Sequence, residues 1–383
     1  MLIQHLKVSG LLSFGPTGID LPLGGLNVLI GPNGSGKSNL LEVLALLRAA
    51  PTNLPQPIKE MGGVREWLWK GPDAPKEAVI EADVWARGLL RHTLRVTEQG
   101  ERFEVADESI ESPLLAAGAT ERAYFYRFRR GQPVLYDRPG DRPLLRDSVK
   151  PEQSILSQVR DPERYPELAA LHGQYSRICL FRDWSFGPKA PLRREQSAHG
   201  RGDFLSEGGE NLALVLSEIG LPERSNFLEA LRELYSGIVD FRLAIRGGNV
   251  HLYLVESDGR EIPATRLSDG TLRYLCLLAI LLHPEPPPLI AIEEPELGLH
   301  PDVIPHVAEL LVKASERTQL VVTTHSRLLV DALSDHPETV IVCEKENGES
   351  RFERLDAKTL ASWLEKYSLG QLWSMGELGG NRW

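Results

Sequence analysis

The chain has 383 residues, 42% of them hydrophobic and 25% charged, the balance of a globular protein long enough for more than one domain. A formal net charge of −10 and an isoelectric point near 5.6 argue against indiscriminate coating of nucleic acid, although they allow a local basic groove. Cys179, Cys276 and Cys343 lie far apart in apolar runs, the first residues lack a signal-peptide layout, and no apolar run approaches membrane-spanning length. Neither a zinc site nor a disulfide framework is suggested, and a reducing, cytoplasmic setting without a membrane partner is expected.

Residues 2–30 read as strands joined by glycine turns, and Leu26-Asn27-Val28-Leu29-Ile30 suits a buried strand. There follows Gly31-Pro32-Asn33-Gly34-Ser35-Gly36-Lys37-Ser38, which fits the G-x-x-x-x-G-K-[ST] pattern of a phosphate-binding loop. From Asn39 to Arg48 the residues are strong helix formers with almost no polar face. In such a strand–turn–helix context the glycines turn successive N–H groups toward one concavity, and the helix N-terminus adds partial positive charge. Lys37 is then suited to the outer phosphates and the Ser38 hydroxyl to Mg²⁺. A nucleoside triphosphate is the expected ligand.

A proline-rich break is expected from Pro51 to Pro57. From about Ala78 to Arg146 the pattern is β-like, with turn signals at Glu98-Gln99-Gly100 and Arg138-Pro139-Gly140-Asp141. Helices are expected near Pro166 to Tyr175, Asn211 to Ile219 and Asn226 to Tyr235, and strands at Phe241 to Ile245 and His251 to Val255. In the last third, a nearly all-apolar helix from Asp269 to Leu282 precedes a strand from Leu289 to Ile292. A helix from Pro301 to Ser315, a strand from Gln319 to Thr323, a helix from Arg327 to Leu333 and a strand from Thr339 to Cys343 complete the alternation. That order predicts parallel strands with crossover helices. The expected division is an N-terminal lobe over 1–50 and an insertion over 51–260, β-rich at 78–146 and helical at 150–236. A C-terminal lobe over 261–345 and a strand–helix tail over 346–383 follow.

Three further elements carry chemistry. The strand ending at Ile292 runs into Glu293-Glu294-Pro295-Glu296, and carboxylates at the C-terminal edge of a parallel strand sit where ligands bind in α/β sheets. Glu293 suits Mg²⁺, and Glu294 suits orienting or deprotonating the attacking water. The strand ending at Thr323 runs into Thr324-His325-Ser326, which puts a histidine within reach of the γ-phosphate. Leu267-Ser268-Asp269-Gly270-Thr271 opens the apolar helix, so the Ser268 hydroxyl and the amides near Gly270 form a second anion-binding surface. His300 and His306 are six apart and off a common helical face, which favours capping or packing over a metal.

In this order the four elements closely resemble the ATP-binding-cassette ATPases, in the branch that includes SMC, RecF-like and OLD-type proteins. The resemblance implies an α/β P-loop NTPase of ABC-ATPase head type, with a mixed sheet, an N-terminal β-subdomain and an α/β insertion. Residues 31–38 match the Walker A loop, with Asn39 adjoining it, and Leu267 to Thr271 match the signature motif. Leu289 to Glu294 match the Walker B strand, Pro295 to His300 the D-loop, and His325 the switch histidine. Lys37, Glu294 and His325 are thereby implied as catalytic, and Ser38 and Glu293 as Mg²⁺ ligands. ATP is implied at 31–39, and Ser268 and Gly270 are implied to complete the site of a second copy. A glutamate in place of the Walker B aspartate looks most like OLD-type ATPases, and Asp269 in place of glycine points away from transporters. Gln153 and Gln158 are both candidates for the family's Q-loop glutamine.

OLD-type nucleases carry a further metal-binding domain with an Asp-x-Asp pair. No Asp-x-Asp occurs here and 58 residues follow His325, so this chain is expected not to be a nuclease itself. No heptad arm is expected between residues 50 and 260. Between 121 and 147, seven arginines face four acids, interleaved with aromatics at 124–128, and Arg193, Arg194 and Arg201 follow downstream. Such a segment fits an arginine-lined groove for DNA phosphates, and equally a solvated hairpin with a packed aromatic face. The reading is an ATPase that dimerises on ATP and serves DNA repair or anti-phage defence. The alternatives are a regulatory subunit that switches a separate nuclease or effector, and a DNA-end clamp with little turnover.

Overall fold

The computed structural model describes residues 1–114, 122–129, 132–137, 140–143, 149–182, 184 and 186–380. Contacts divide the chain into two compact units, the first made of residues 1–178, 338–355 and 378–383, the second of residues 179–337 and 356–377.

The first unit holds an antiparallel sheet of eight strands. Its order is Ile19–Pro22, Ile3–Ser9, Ala78–Trp85, Leu89–Gln99, Arg102–Glu111, Tyr124–Arg129, Gln132–Asp137 and Gly140–Pro143. Along Leu89–Gln99 the buried residues are Leu90, His92, Leu94 and Val96, every second position, as expected when one face of a pleated strand meets a core. That core includes a buried polar cluster. His92 Nε2 lies 3.0 Å from Glu108 Oε1 and Nδ1 lies 3.2 Å from the Tyr175 hydroxyl, while Ile155 N donates to Glu108 Oε2 at 2.7 Å. Elsewhere in this unit Leu26–Ile30, buried at every position, pairs in parallel with Val340–Glu346, which turns back antiparallel on Glu349–Arg354. Helix Lys37–Ala49 follows the glycine turn and packs on helices Pro55–Glu60 and Pro166–Ser176. The expected proline break thus contains the start of a helix. Pro55 sits in its first turn, where the missing N–H has no intrahelical partner to lose.

The second unit is built on three parallel strands, Cys179–Phe181, Leu289–Glu293 and Gln319–Thr323, with Ile292 opposite both Phe181 and Val322. Helix Ile304–Ala314 connects the latter two, and its buried Ile304, Val307, Ala308 and Leu311 repeat at three and four residues. Helix Asp269–Leu281 is buried from Leu272 onward and packs on helices Leu212–Glu218, Leu221–Leu234 and Ile304–Ala314. The Tyr274 hydroxyl donates to the Ala230 carbonyl at 2.9 Å, which satisfies the one phenol that this burial strands. A smaller antiparallel sheet joins Ile238–Arg246 and Asn249–Glu256 with the short strands Gln196–Ser197 and Glu261–Pro263. Near the end, helix Leu369–Met375 is tied to helix Arg327–Asp331. The Ser368 hydroxyl donates to Asp331, and Leu369 N donates to Ser334 Oγ at 3.0 Å. Among the described residues no helix is long and apolar enough to cross a membrane.

Candidate nucleotide site

In the first unit, the loop after Leu26–Ile30 needs its glycines. Gly31, Gly34 and Gly36 have φ of 145°, 82° and 100°, where a side chain is strained. A Cβ on Gly31 would also strike the Cys343 carbonyl, and one on Gly36 the hydroxyls of Ser350 and Ser13. Ser13 forms a floor here, accepting from Asn39 Nδ2 and from Ser350 Oγ at 2.6 Å each. Lys37 is only 6% exposed, and its Nζ donates to the carbonyls of Gly31 at 2.7 Å and Pro32 at 3.0 Å. The ammonium thus braces the loop from within. Asn33, Gly34 and Ser38 are exposed, and Ser35 Oγ is buried without a hydrogen-bond partner among the described residues. Gly36 caps the helix in the left-handed conformation, with no side-chain hydrogen bond.

In the second unit, Glu293 closes its strand opposite Thr323, and its Oε2 lies 3.3 Å from Arg182 Nε. Glu294 is left-handed, with φ of 46°, and its N donates to the Thr323 carbonyl at 3.0 Å. Its own carbonyl accepts from an Arg273 terminal nitrogen at 2.9 Å. His325, on the loop after the neighbouring strand, brings Nε2 to 3.8 Å from Glu294 Oε1. Glu296 organises that loop, because its Oε1 accepts from Thr324 Oγ1 at 2.6 Å and from the His325 amide at 3.1 Å. Burial nevertheless pushes its carboxyl above the ordinary range. Glu296 Oε2 and Thr323 Oγ1 are buried without hydrogen-bond partners among the described residues.

Ser268 caps helix Asp269–Leu281, accepting from Thr271 N at 3.0 Å, with its hydroxyl 2.8 Å from that of Thr271. Asp269 accepts from Arg193 and from Gly187 N, and the Arg193 guanidinium holds its carboxyl below the usual range. A Cβ on Gly270 would lie 2.6 Å from the Gly298 carbonyl oxygen, so glycine here allows close approach of the Pro295 to His300 segment.

Other expectations change once side chains have partners. Arg193, one of the basic residues downstream of 121–147, is buried and donates to the Leu267 carbonyl at 2.5 Å. It builds the signature segment instead of a charged surface. Arg122 pairs with Glu111 at 2.7 Å, and Arg201 pairs with Asp203 at 2.8 Å. Arg127 stacks 4.0 Å from the Tyr124 ring centre and donates to the Tyr136 hydroxyl at 3.0 Å. Arg130, Arg138 and Arg146 lie outside the described residues. Gln153 Oε1 accepts from Leu54 N at 3.2 Å, and Gln158 Oε1 accepts from Lys150 N at 2.7 Å. His300 caps the turn at Pro301–Val303, and among the described residues no group of three His, Cys, Asp or Glu could hold a metal. Arg182, Arg273 and Glu296 were not picked out from the sequence, although Arg273 is the single charge between Leu272 and Leu282.

The fold is similar to that of an SMC head bound to the C-winged helix domain of ScpA, with a TM-score of 0.60 and 16% identity over 94% of this chain and 100% of that one. It is also similar to an SMC head with an extended coiled coil from Pyrococcus furiosus, bound to the C-terminal domain of ScpA (TM-score 0.54, 14% identity, 95% of this chain and 99% of that one). At such identities the likeness speaks of fold, which is that of a P-loop ATPase head of ABC type. No curated protein matches the sequence. The family model described as "AAA domain, putative AbiEii toxin, Type IV TA system" matches residues 26–331. With the phosphate loop, both strand-end carboxylates, the signature segment and His325 inside that match, the chain belongs to this AAA-domain family of SMC-head-like P-loop ATPases.

Proposed function

We propose that the protein binds ATP with Mg²⁺, hydrolyses it, and closes into a homodimer when two ATP molecules are sandwiched between copies. In this reading residues 31–39 cradle the phosphates, with Lys37 as their cation and Ser38 and Glu293 as the metal's protein ligands. Glu294 takes the proton of the attacking water, and His325 contacts the γ-phosphate. Ser268 and Gly270 of one copy complete the site of the other, and loss of the γ-phosphate releases the dimer. The observation that carries the reading is the pairing of Glu294 with His325 across 3.8 Å at the ends of adjacent parallel strands. A carboxylate that can orient or deprotonate water, beside a group that can contact the γ-phosphate, suits hydrolysis of a bound triphosphate.

The cycle serves a DNA-repair or defence process, and the second reading is a regulatory subunit for a separate nuclease or effector. That an SMC head of the same fold is bound to part of another protein supports a partner-directed role. Hydrolysis by the unmodified protein and by Glu294→Gln, each with and without DNA, tests both. Glu294→Gln should slow turnover by about two orders of magnitude or more with ATP affinity hardly changed, because the base acts mainly in the transition state. Wild-type turnover in that variant would remove Glu294 from the mechanism. Stimulation by DNA favours a DNA machine, and indifference to DNA favours the effector switch.

A further inference from the structure

We infer that Arg273 is the positioning residue for Glu294, linking the helix that starts at Ser268 to the main chain of the glutamate that acts on water. This role presupposes the ATPase reading above and adds to it a residue outside the motifs. Arg273 is only 6% exposed and lies in the buried part of helix Asp269–Leu281. A buried guanidinium is costly unless its donors are satisfied, and an apolar residue of similar size commonly serves stability better. Here satisfaction is incomplete. One terminal nitrogen donates to the Glu294 carbonyl at 2.9 Å, and Nε has no hydrogen-bond partner among the described residues. The guanidinium carbon sits 5.5 Å from the ring centres of both Trp184 and Phe186, which stack on each other at 5.7 Å and 11°. Two parallel rings and one carbonyl thus set where the guanidinium lies.

The acceptor explains why the cost is borne. A left-handed glutamate, with φ of 46°, is strained and persists only where its surroundings hold it. The Glu294 amide is held by the Thr323 carbonyl, and the Glu294 carbonyl is held by Leu297 N at 3.1 Å and by Arg273. Two of these three contacts come from its own loop and the adjacent strand. The third comes from the helix whose first turn carries Ser268, and so it couples the conformation of Glu294 to events at the signature segment. Burial pushes the Arg273 guanidinium below its ordinary range, and attraction from Glu296 and Glu294 offsets only part of that.

The test compares Arg273→Gln and Arg273→Lys with the unmodified protein, each checked for folding by circular dichroism, in steady-state hydrolysis and ATP titration. Arg273→Gln should lower kcat at least tenfold while KM and ATP affinity stay within about twofold. Arg273→Lys, which keeps the charge without the planar fork, should fall between. In a Glu294→Gln background, Arg273→Gln should cause no further loss, because its effect runs through that glutamate. An unchanged kcat in folded Arg273→Gln, or an equal further loss in the Glu294→Gln background, overturns the role. If Arg273→Gln does not fold, Arg273→Lys decides: a lowered kcat at constant KM supports the role, and unchanged kcat overturns it. No hydrolysis by the unmodified protein would instead overturn the ATPase reading, and this role with it.

Discussion

Lys37 is turned onto the carbonyls of Gly31 and Pro32, at 2.7 and 3.0 Å, and so braces its loop. A triphosphate that engages the ammonium replaces two neutral acceptors with charged oxygens, which make stronger bonds. Lys37→Ala should therefore cost ATP affinity about 10- to 100-fold, the scale of a hydrogen bond to a charged group. Isothermal titration reads this directly, and wild-type affinity in the variant would sink the phosphate-loop assignment. Most chemically important residues could be picked out one by one, because motifs name residue types at fixed spacing. Their partners could not. Glu293 faces Arg182 across 111 positions, and Ser13 meets Ser350 across 337, separations that no local pattern encodes.

At the scale of elements, the loop between strand Leu26–Ile30 and helix Lys37–Ala49 depends on backbone passing close to backbone. Gly31 and Cys343 are both buried, and a Cβ on Gly31 would meet the Cys343 carbonyl with no flexible side chain to yield. Gly31→Ala should lower unfolding stability by about 1–3 kcal/mol, through strain at positive φ and overpacking, and ATP binding should fall with it. Urea denaturation at constant m-value tests the first part. A loss below about 0.5 kcal/mol, the range of an ordinary surface change, would show that the loop relaxes freely. Helix Asp269–Leu281 and strands Leu289–Glu293 and Gln319–Thr323 were legible because long apolar runs leave few alternatives. Strand Cys179–Phe181, three residues long, carries no such signal and forms against the edge that Leu289–Glu293 offers. Helix Pro55–Glu60 was hidden by its own prolines, which read as a break when not seen at a first turn.

For the whole molecule, the dimer reading makes a direct claim on Ser268. Its hydroxyl caps a helix, and the residue is exposed at the helix start. In the Glu294→Gln protein, kept from turning over, ATP and Mg²⁺ should give a dimer by light scattering. Adding Ser268→Arg should return it to monomer by placing a bulky side chain against the partner's nucleotide. A monomer with ATP shown to be bound, before Ser268 is touched, would count against composite sites. ATP titration of the Ser268→Arg protein separates a lost interface from a lost site, because Lys37 and its loop are unaltered in that variant.

Hydrophobic period and glycine spacing by themselves determined the parallel-strand alternation, the phosphate loop and the candidate carboxylates at Glu293 and Glu294. Those signals are local, because a strand or a turn is set by the residues that form it. Only the tertiary structure decided what each polar group answers to: Arg193 to Asp269, Arg127 to two tyrosines, Glu296 to the His325 amide, Arg273 to the Glu294 carbonyl. The physical reason is that a buried donor or acceptor must find a partner wherever the fold supplies one, however distant in the chain. Seven arginines among aromatics fit a groove and a solvated hairpin alike in the sequence, and those whose partners are described make contacts within the protein.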